Sequence, residues 1–307
     1  MGTGRNMSDM DYDGYEGYNG DEVDEVEEVE EMVDDVPMFI ASRVYLGSID
    51  AAANASALRA KNIGFVLSLL QPEDALAPPS CAHLRIAMDD ALDEPLLIKL
   101  PYLLYTLNQA LATTDANVLV HCVAGRSRSA SVVIAWLMTT QQLSLHDAYQ
   151  RVLMSRPWIE PNATFLKHLA LFEKTLCVPM SASTRSAIDE LTPILPRMDF
   201  HPSFVHPITS HVKVMTIRLA SDVAADGNSD LQYIYPRAIA IATTTTAPSF
   251  AMLQITDVAF VTVRDLTDDH ARHEGLASRA DLLATLRRFY PDMHDTSACI
   301  VISFVAC

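Results

Sequence analysis

The 307 residues are half hydrophobic, enough for a sizeable core, and too many for one, since single cores rarely grow past ~250 residues. The net charge of −17 is mostly local: residues 1–35 hold fourteen Asp or Glu against Arg5, which leaves about −4 for the rest and excludes a uniformly acidic surface. Five cysteines (Cys81, Cys122, Cys177, Cys299, Cys307) at no repeating spacing exclude a C-x-x-C zinc site and a secreted disulfide framework, and predict a reducing compartment, cytoplasmic or nuclear.

In chain order, residues 1–36 are expected to be an acidic disordered leader, too poor in aliphatic side chains to offset its ordering entropy. A short strand at 44–47 follows, then an Ala-rich helix over 50–61 and an apolar strand over 64–70. Pro72, Pro78 and Pro79 mark a loop before a strand at 83–88. Leu96, Leu97, Leu100, Leu103, Leu104, Leu107 and Leu111 recur at helical spacing, which predicts a helix over 95–113. A strand at 117–122 leads to helices at 127–141, 144–155 and 162–176. Near-continuously apolar strands alternating with helices predict an α/β domain over 37–177, a mainly parallel sheet flanked by helices. Residues 178–199 read as a linker. In 200–307, strands at 212–219, 236–244, 250–264 and 298–305, with helices at 267–274 and 278–289, predict a smaller β-barrel with inserted helices. No run of ~18 apolar residues predicts a membrane span, so no membrane partner is expected, and no ligand cluster predicts a metal or cofactor.

The chemistry concentrates in His121-Cys122-Val123-Ala124-Gly125-Arg126-Ser127-Arg128-Ser129. A strand ends, five residues form a loop, and a helix begins. Backbone N–H groups of such a loop turn inward on an anion, and the helix N-terminus adds partial positive charge. Val123, Ala124, Gly125, Arg126 and Ser127 are therefore the expected substrate-binding residues. At the base of this cradle Cys122 is favoured as thiolate, the form that attacks phosphorus. Arg128 grips two phosphate oxygens at once, and Gly125 permits close backbone approach. Ser129 places a hydroxyl near the sulfur to stabilise it as a leaving group, and His121 orients the loop from behind. A free cysteine is ordinarily a small buried hydrophobe; here Cys, Gly, Arg and Ser fall together at the required offsets between strand and helix.

This segment resembles the signature of the cysteine-based protein tyrosine phosphatase superfamily, and the run Ala124 to Ala130 resembles its dual-specificity branch. Val44-Tyr45-Leu46-Gly47-Ser48 is similar to that family's opening strand, and Arg156-Pro157, Pro161-Asn162 and Phe165-Leu166 to its last helix, with Asn162 the expected N-cap. The resemblance implies a phosphocysteine mechanism on a phosphoprotein substrate and a general acid on the loop after the 83–88 strand. Asp90 is that acid; Asp89 and Asp93 are its neighbouring alternatives.

A second resemblance lies in 200–307. Lys213 to Arg218, Ile255 to Val258, Leu266 to Gly275, Phe289 to Pro291 and Val301 to Phe304 resemble an ASCH domain, a PUA-like barrel associated with RNA. Some small ASCH proteins hydrolyse acetylated cytidine. Their Lys, Thr and Glu fall on Lys213, Thr216 and Glu274, which makes these a second candidate site and RNA or a modified nucleoside a candidate partner. His211 stands where those enzymes carry Gly. In a regular strand positions three apart face opposite sides, so Lys213 and Thr216 meet only if the chain departs from one. The alternative from another class is a phosphate- or RNA-binding adaptor.

Overall fold

The computed structural model describes residues 34–75, 81–221 and 230–307. The expected acidic leader, up to residue 33, lies outside the described residues. Strands β1 (Met38–Ala41), β2 (Val44–Gly47), β3 (Ile63–Leu69), β4 (Ala82–Ile86) and β5 (Asn117–His121) form one sheet in the order β1-β2-β5-β3-β4. Within this sheet, among the described residues, only the β1–β2 pair is antiparallel. Alternation along the inner strands explains why both faces are covered. Leu67, Leu69, Val118 and Val120 join the main core with helices α3 (Leu96–Thr113), α4 (Arg128–Thr140), α5 (Leu145–Ser155) and α6 (Ala163–Thr175). Val66 and Leu119 point the other way, onto Ala52 of α1 (Ile49–Ala53) and Leu58 of α2 (Ala55–Ala60). The single helix expected over 50–61 is broken at Asn54. Its side chain accepts from Ala57 N–H at 3.0 Å and so caps a new helix instead of continuing the old one.

The stretch 178–199, read as a linker, is folded. Ser181 caps α7 (Ala182–Asp189), and β6 (Arg197–Asp199) pairs in parallel with β8 (Ile239–Thr243). Met180, Ile188 and Leu195 pack with Ile239, Ile241 and Met252, so this stretch is pinned by apolar burial. Gln254 is buried and donates to the carbonyls of Thr175 (2.7 Å) and Cys177 (2.8 Å). Those bonds tie the end of α6 to the second sheet. That sheet also contains β7 (Met215–Leu219), β9 (Ala251–Thr262) and β10 (Ala298–Ala306), in the order β6-β8-β9-β10-β7. Around it lie α8 (Val205–Thr209), α9 (Asp268–His273) and α10 (Arg279–Phe289).

Among the described residues the second sheet does not close into the expected barrel. The edges β6 and β7 are not paired with each other. β6 is only three residues long, and the gap is spanned by a side chain: Arg218 on β7 donates to the carbonyl of Asp199 on β6. Among the described residues, no helix is long and apolar enough to cross a membrane.

Candidate active site

After β5 the chain turns through residues 122–127 into α4. The carbonyl partners of this loop decide where its N–H groups face. Cys122 O accepts from His121 Nδ1 (3.0 Å) and Val123 O from Ile49 N (2.8 Å). Ala124 O accepts from Arg156 Nη2 (3.0 Å), Gly125 O from Arg156 Nε (2.7 Å) and Arg126 O from Glu160 N (2.8 Å). Five successive carbonyls are held from outside the loop. The N–H groups of residues 123–127 have no hydrogen-bond partner among the described residues. That is the arrangement of an anion cradle at a helix N-terminus. Gly125 has φ +62°, and a Cβ there would collide with the Gly47 carbonyl oxygen, so the tight approach of loop to β2 admits no side chain.

Cys122 is buried at the base of the loop, and Ser129 Oγ donates to its sulfur at 3.2 Å. Arg128, the first residue of α4, is also buried; Nη1 donates to the carbonyls of Met88 (3.1 Å) and Leu69 (3.3 Å). Its guanidinium lies 3.8 Å from Asp90 and 3.6 Å from Asp74. Asp90 Oδ1 accepts from Ser127 Oγ (2.7 Å) and Asn162 Nδ2 (2.8 Å), which brings its carboxylate to the loop. Asp89, by contrast, turns its carboxylate onto the N–H of Asp90 (2.7 Å), and Asp93 is exposed. Arg126 is exposed and pairs with Glu160 at the rim. Asn162 caps α6, accepting from Phe165 N–H at 2.9 Å, in addition to its bond with Asp90.

Three supporting residues were not legible in the sequence. Ser68 Oγ bridges His121 Nε2 (2.5 Å) and His83 Nε2 (2.7 Å) behind the nucleophile. Burial pushes His121 down to about 4, although its bond to the Cys122 carbonyl acts the other way. The neutral ring therefore donates from Nδ1 to Cys122 and accepts at Nε2 from Ser68. The third residue is Asp34, whose carboxylate pairs with the fully buried Arg156. An acid just before the first strand carries no spacing that ties it to a residue more than a hundred positions away.

The His121 shift has a measurable consequence. Between about 4 and the ordinary 6.5 the unfolded chain binds a proton that the folded chain refuses, so stability falls as pH drops through that window. Urea unfolding at pH 5 should show about 2 kcal/mol of lost stability relative to pH 7.5 from this ring alone. His121→Asn should lose correspondingly less; an unchanged pH dependence in the variant would contradict the assignment.

The second predicted constellation also assembles. Lys213 and Glu274, both buried, form an ion pair, and Glu274 Oε1 accepts from Ile217 N at 2.7 Å. With Thr216 and Arg218 they line a cavity of about 230 Å³ whose walls include Phe204 and Phe289. Lys213 and Thr216 reach the same cavity because Lys213 precedes β7: its N–H goes to Pro207 O and that of Val214 to His273 O, both at 2.9 Å. His211 has φ +58°, the left-handed backbone that Gly adopts without cost. Burial, with Arg218 nearby, pulls Lys213 down to about 7. Its Nζ lies 4.7 Å from the Phe204 ring centroid.

Comparison with known proteins places residues 44–175 under the family described as "Dual specificity phosphatase, catalytic domain". Dual specificity protein phosphatase 1 of Arabidopsis thaliana is 32% identical over 145 residues, covering 47% of this chain and 73% of that protein. Human dual specificity protein phosphatase 16 is 35% identical over 142 residues, 46% of this chain but only 21% of the human protein. The crystal structure of human DUSP28 is 31% identical, covers 47% of this chain and 97% of its own, and has a TM-score of 0.44.

Proposed function

Because the chain belongs to the dual-specificity protein phosphatase family, we propose that residues 37–177 dephosphorylate phosphoproteins at phosphotyrosine and phosphoserine or phosphothreonine through a phosphocysteine on Cys122. The observation that carries this reading is the loop itself: the sulfur lies 3.2 Å from the Ser129 hydroxyl, at the base of a loop whose carbonyls are all held from outside. The phosphoryl oxygens take the free N–H groups of 123–127 and the guanidinium of Arg128. Cys122 attacks phosphorus as thiolate, the P–O bond to the substrate breaks, and Asp90 gives its proton to the departing oxygen. In the second half Asp90 takes a proton from water as that water attacks the phosphocysteine. The S–P bond breaks, and the Ser129 hydroxyl stabilises the returning thiolate. Phosphate release from matched phosphotyrosyl and phosphothreonyl peptides tests the substrate class. Both should be hydrolysed by the full chain, and activity confined to one would overturn dual specificity.

The cavity around Lys213 favours a second reading for 200–307. There we infer an ASCH-like module that takes RNA or a modified nucleoside, with acetylated cytidine as the first substrate to try. Phe204 and Phe289, tilted against each other at 6.3 Å between ring centroids, give a planar base one aromatic wall to lie against, while Lys213, once its ion pair with Glu274 has lost a proton and the amine is neutral, accepts the Thr216 hydroxyl proton. The amine grows as pH rises through about 7, so acetate release from acetylcytidine should increase through that range and fall steeply below it. Lys213→Ala should remove the activity; hydrolysis that survives it would exclude this triad. Binding of the nucleoside without hydrolysis would leave a recognition module, the adaptor reading for this half of the chain.

A further inference from the structure

The loop that cradles the anion is supported from outside by a single side chain at two consecutive positions. Arg156, at the end of α5, is fully buried and donates from Nε to Gly125 O (2.7 Å) and from Nη2 to Ala124 O (3.0 Å). Turning those two carbonyls outward is what leaves the following N–H groups facing the substrate. A buried guanidinium needs a counter-charge, and this one has Asp34. The Asp34 carboxylate takes both terminal nitrogens, with Nη1 to Oδ1 at 2.9 Å, and the Asp34 carbonyl accepts from the Ser48 hydroxyl. Trp158 covers the guanidinium at 4.9 Å from its ring centroid. Asp35 is held as well: it accepts from Asn54 Nδ2 at 3.0 Å.

We propose that Asp34 is a positioning residue of the phosphatase reaction, acting through Arg156 to hold the Ala124 and Gly125 peptides in the anion-binding orientation. The inference rests on the phosphatase reading of the loop and extends the working unit upstream of the boundary at residue 37 that the sequence suggests. A bidentate carboxylate fixes the guanidinium plane in a way that an amide cannot, since an amide offers one acceptor oxygen and an uncharged NH₂ edge that is itself a donor. Losing the carboxylate frees Arg156 to tilt, and the two peptide units follow.

The test uses the full chain carrying Asp34→Asn, Asp34→Glu, Arg156→Lys and the Asp34→Asn/Arg156→Lys double variant. Tungstate, a phosphate-shaped anion, is titrated directly onto each folded protein, and KM and kcat are measured separately on an aryl phosphate. Asp34→Asn should weaken tungstate binding and raise KM by about tenfold each, with a smaller fall in kcat, and Asp34→Glu should recover most of both. If Asp34 works through Arg156, the double variant should be no worse than Arg156→Lys alone. Additive losses would overturn the coupling. A merely structural Asp34 would lower the melting temperature while the folded fraction bound tungstate as wild type does, and that result would overturn the proposal. Wild type that bound no tungstate would overturn the phosphate-loop reading itself and this inference with it.

Discussion

Cys122→Ser should abolish aryl phosphate turnover, by at least about 10⁴-fold, while leaving the fold and tungstate affinity close to wild type. The two halves of this expectation have separate causes. Serine is nearly isosteric with cysteine, and the loop's shape is set by donors to its carbonyls from His121, Ile49, Arg156 and Glu160, none of which involves the sulfur. Anion binding should therefore persist. Chemistry should not, because a serine hydroxyl holds its proton at neutral pH and no base stands against it: the Ser129 hydroxyl is a donor to this atom. Melting curves and tungstate titration check the first half, steady-state kinetics the second. Equal turnover in wild type and variant would remove Cys122 from the mechanism.

Asp90→Ala should lower turnover by about 10²- to 10³-fold, the range for losing a positioned general acid, and Asp89→Ala should change it by less than about threefold. The carboxylate of Asp90 is fastened at the loop by Ser127 and Asn162, whereas that of Asp89 is spent on its neighbour's backbone N–H. Removing Asp90 also unsettles Ser127, so the size of the loss alone does not isolate proton transfer. Leaving-group dependence does. The deficit should be small with an acidic phenol that departs unprotonated and large with a poor leaving group such as a threonyl ester. Asp90→Asn, which keeps an acceptor for Ser127, should show the same slope. A uniform loss across leaving groups would reassign Asp90 to positioning, and the reverse ranking of the two aspartates would move the acid to Asp89.

How much of this was legible in the sequence follows from the range of the interactions. The first sheet was readable because its strands are covered on both faces and so nearly unbroken in apolar residues, as Val118-Leu119-Val120 shows. The loop was readable because its chemistry is local: Cys122, Gly125, Arg128 and Ser129 act within eight consecutive positions. What escaped depends on long-range contact. The pairing of Arg156 with Asp34 and the chain His83, Ser68, His121 each join residues from different elements, and polar side chains on a strand such as Ser68 carry no periodic mark. Helix α7 escaped because its Ser- and Thr-rich sequence is weak by propensity and is stabilised by burying Ile188 against the second sheet. The closed barrel was expected from strand count, but count does not say whether the two edges meet, and here Arg218 spans the gap between them. The Lys213–Thr216 problem had a local solution invisible to strand periodicity: the regular strand starts only at Met215.

The most direct measurement is to capture the intermediate. The full chain should be mixed with a radiolabelled aryl phosphate, quenched on the millisecond scale and digested. The expected result is a single label per chain on the peptide that contains Cys122, at higher occupancy in Asp90→Ala if water activation becomes limiting, and no label in Cys122→Ser. Turnover with no labelled protein, or label that persists in Cys122→Ser, would contradict a phosphocysteine at this site.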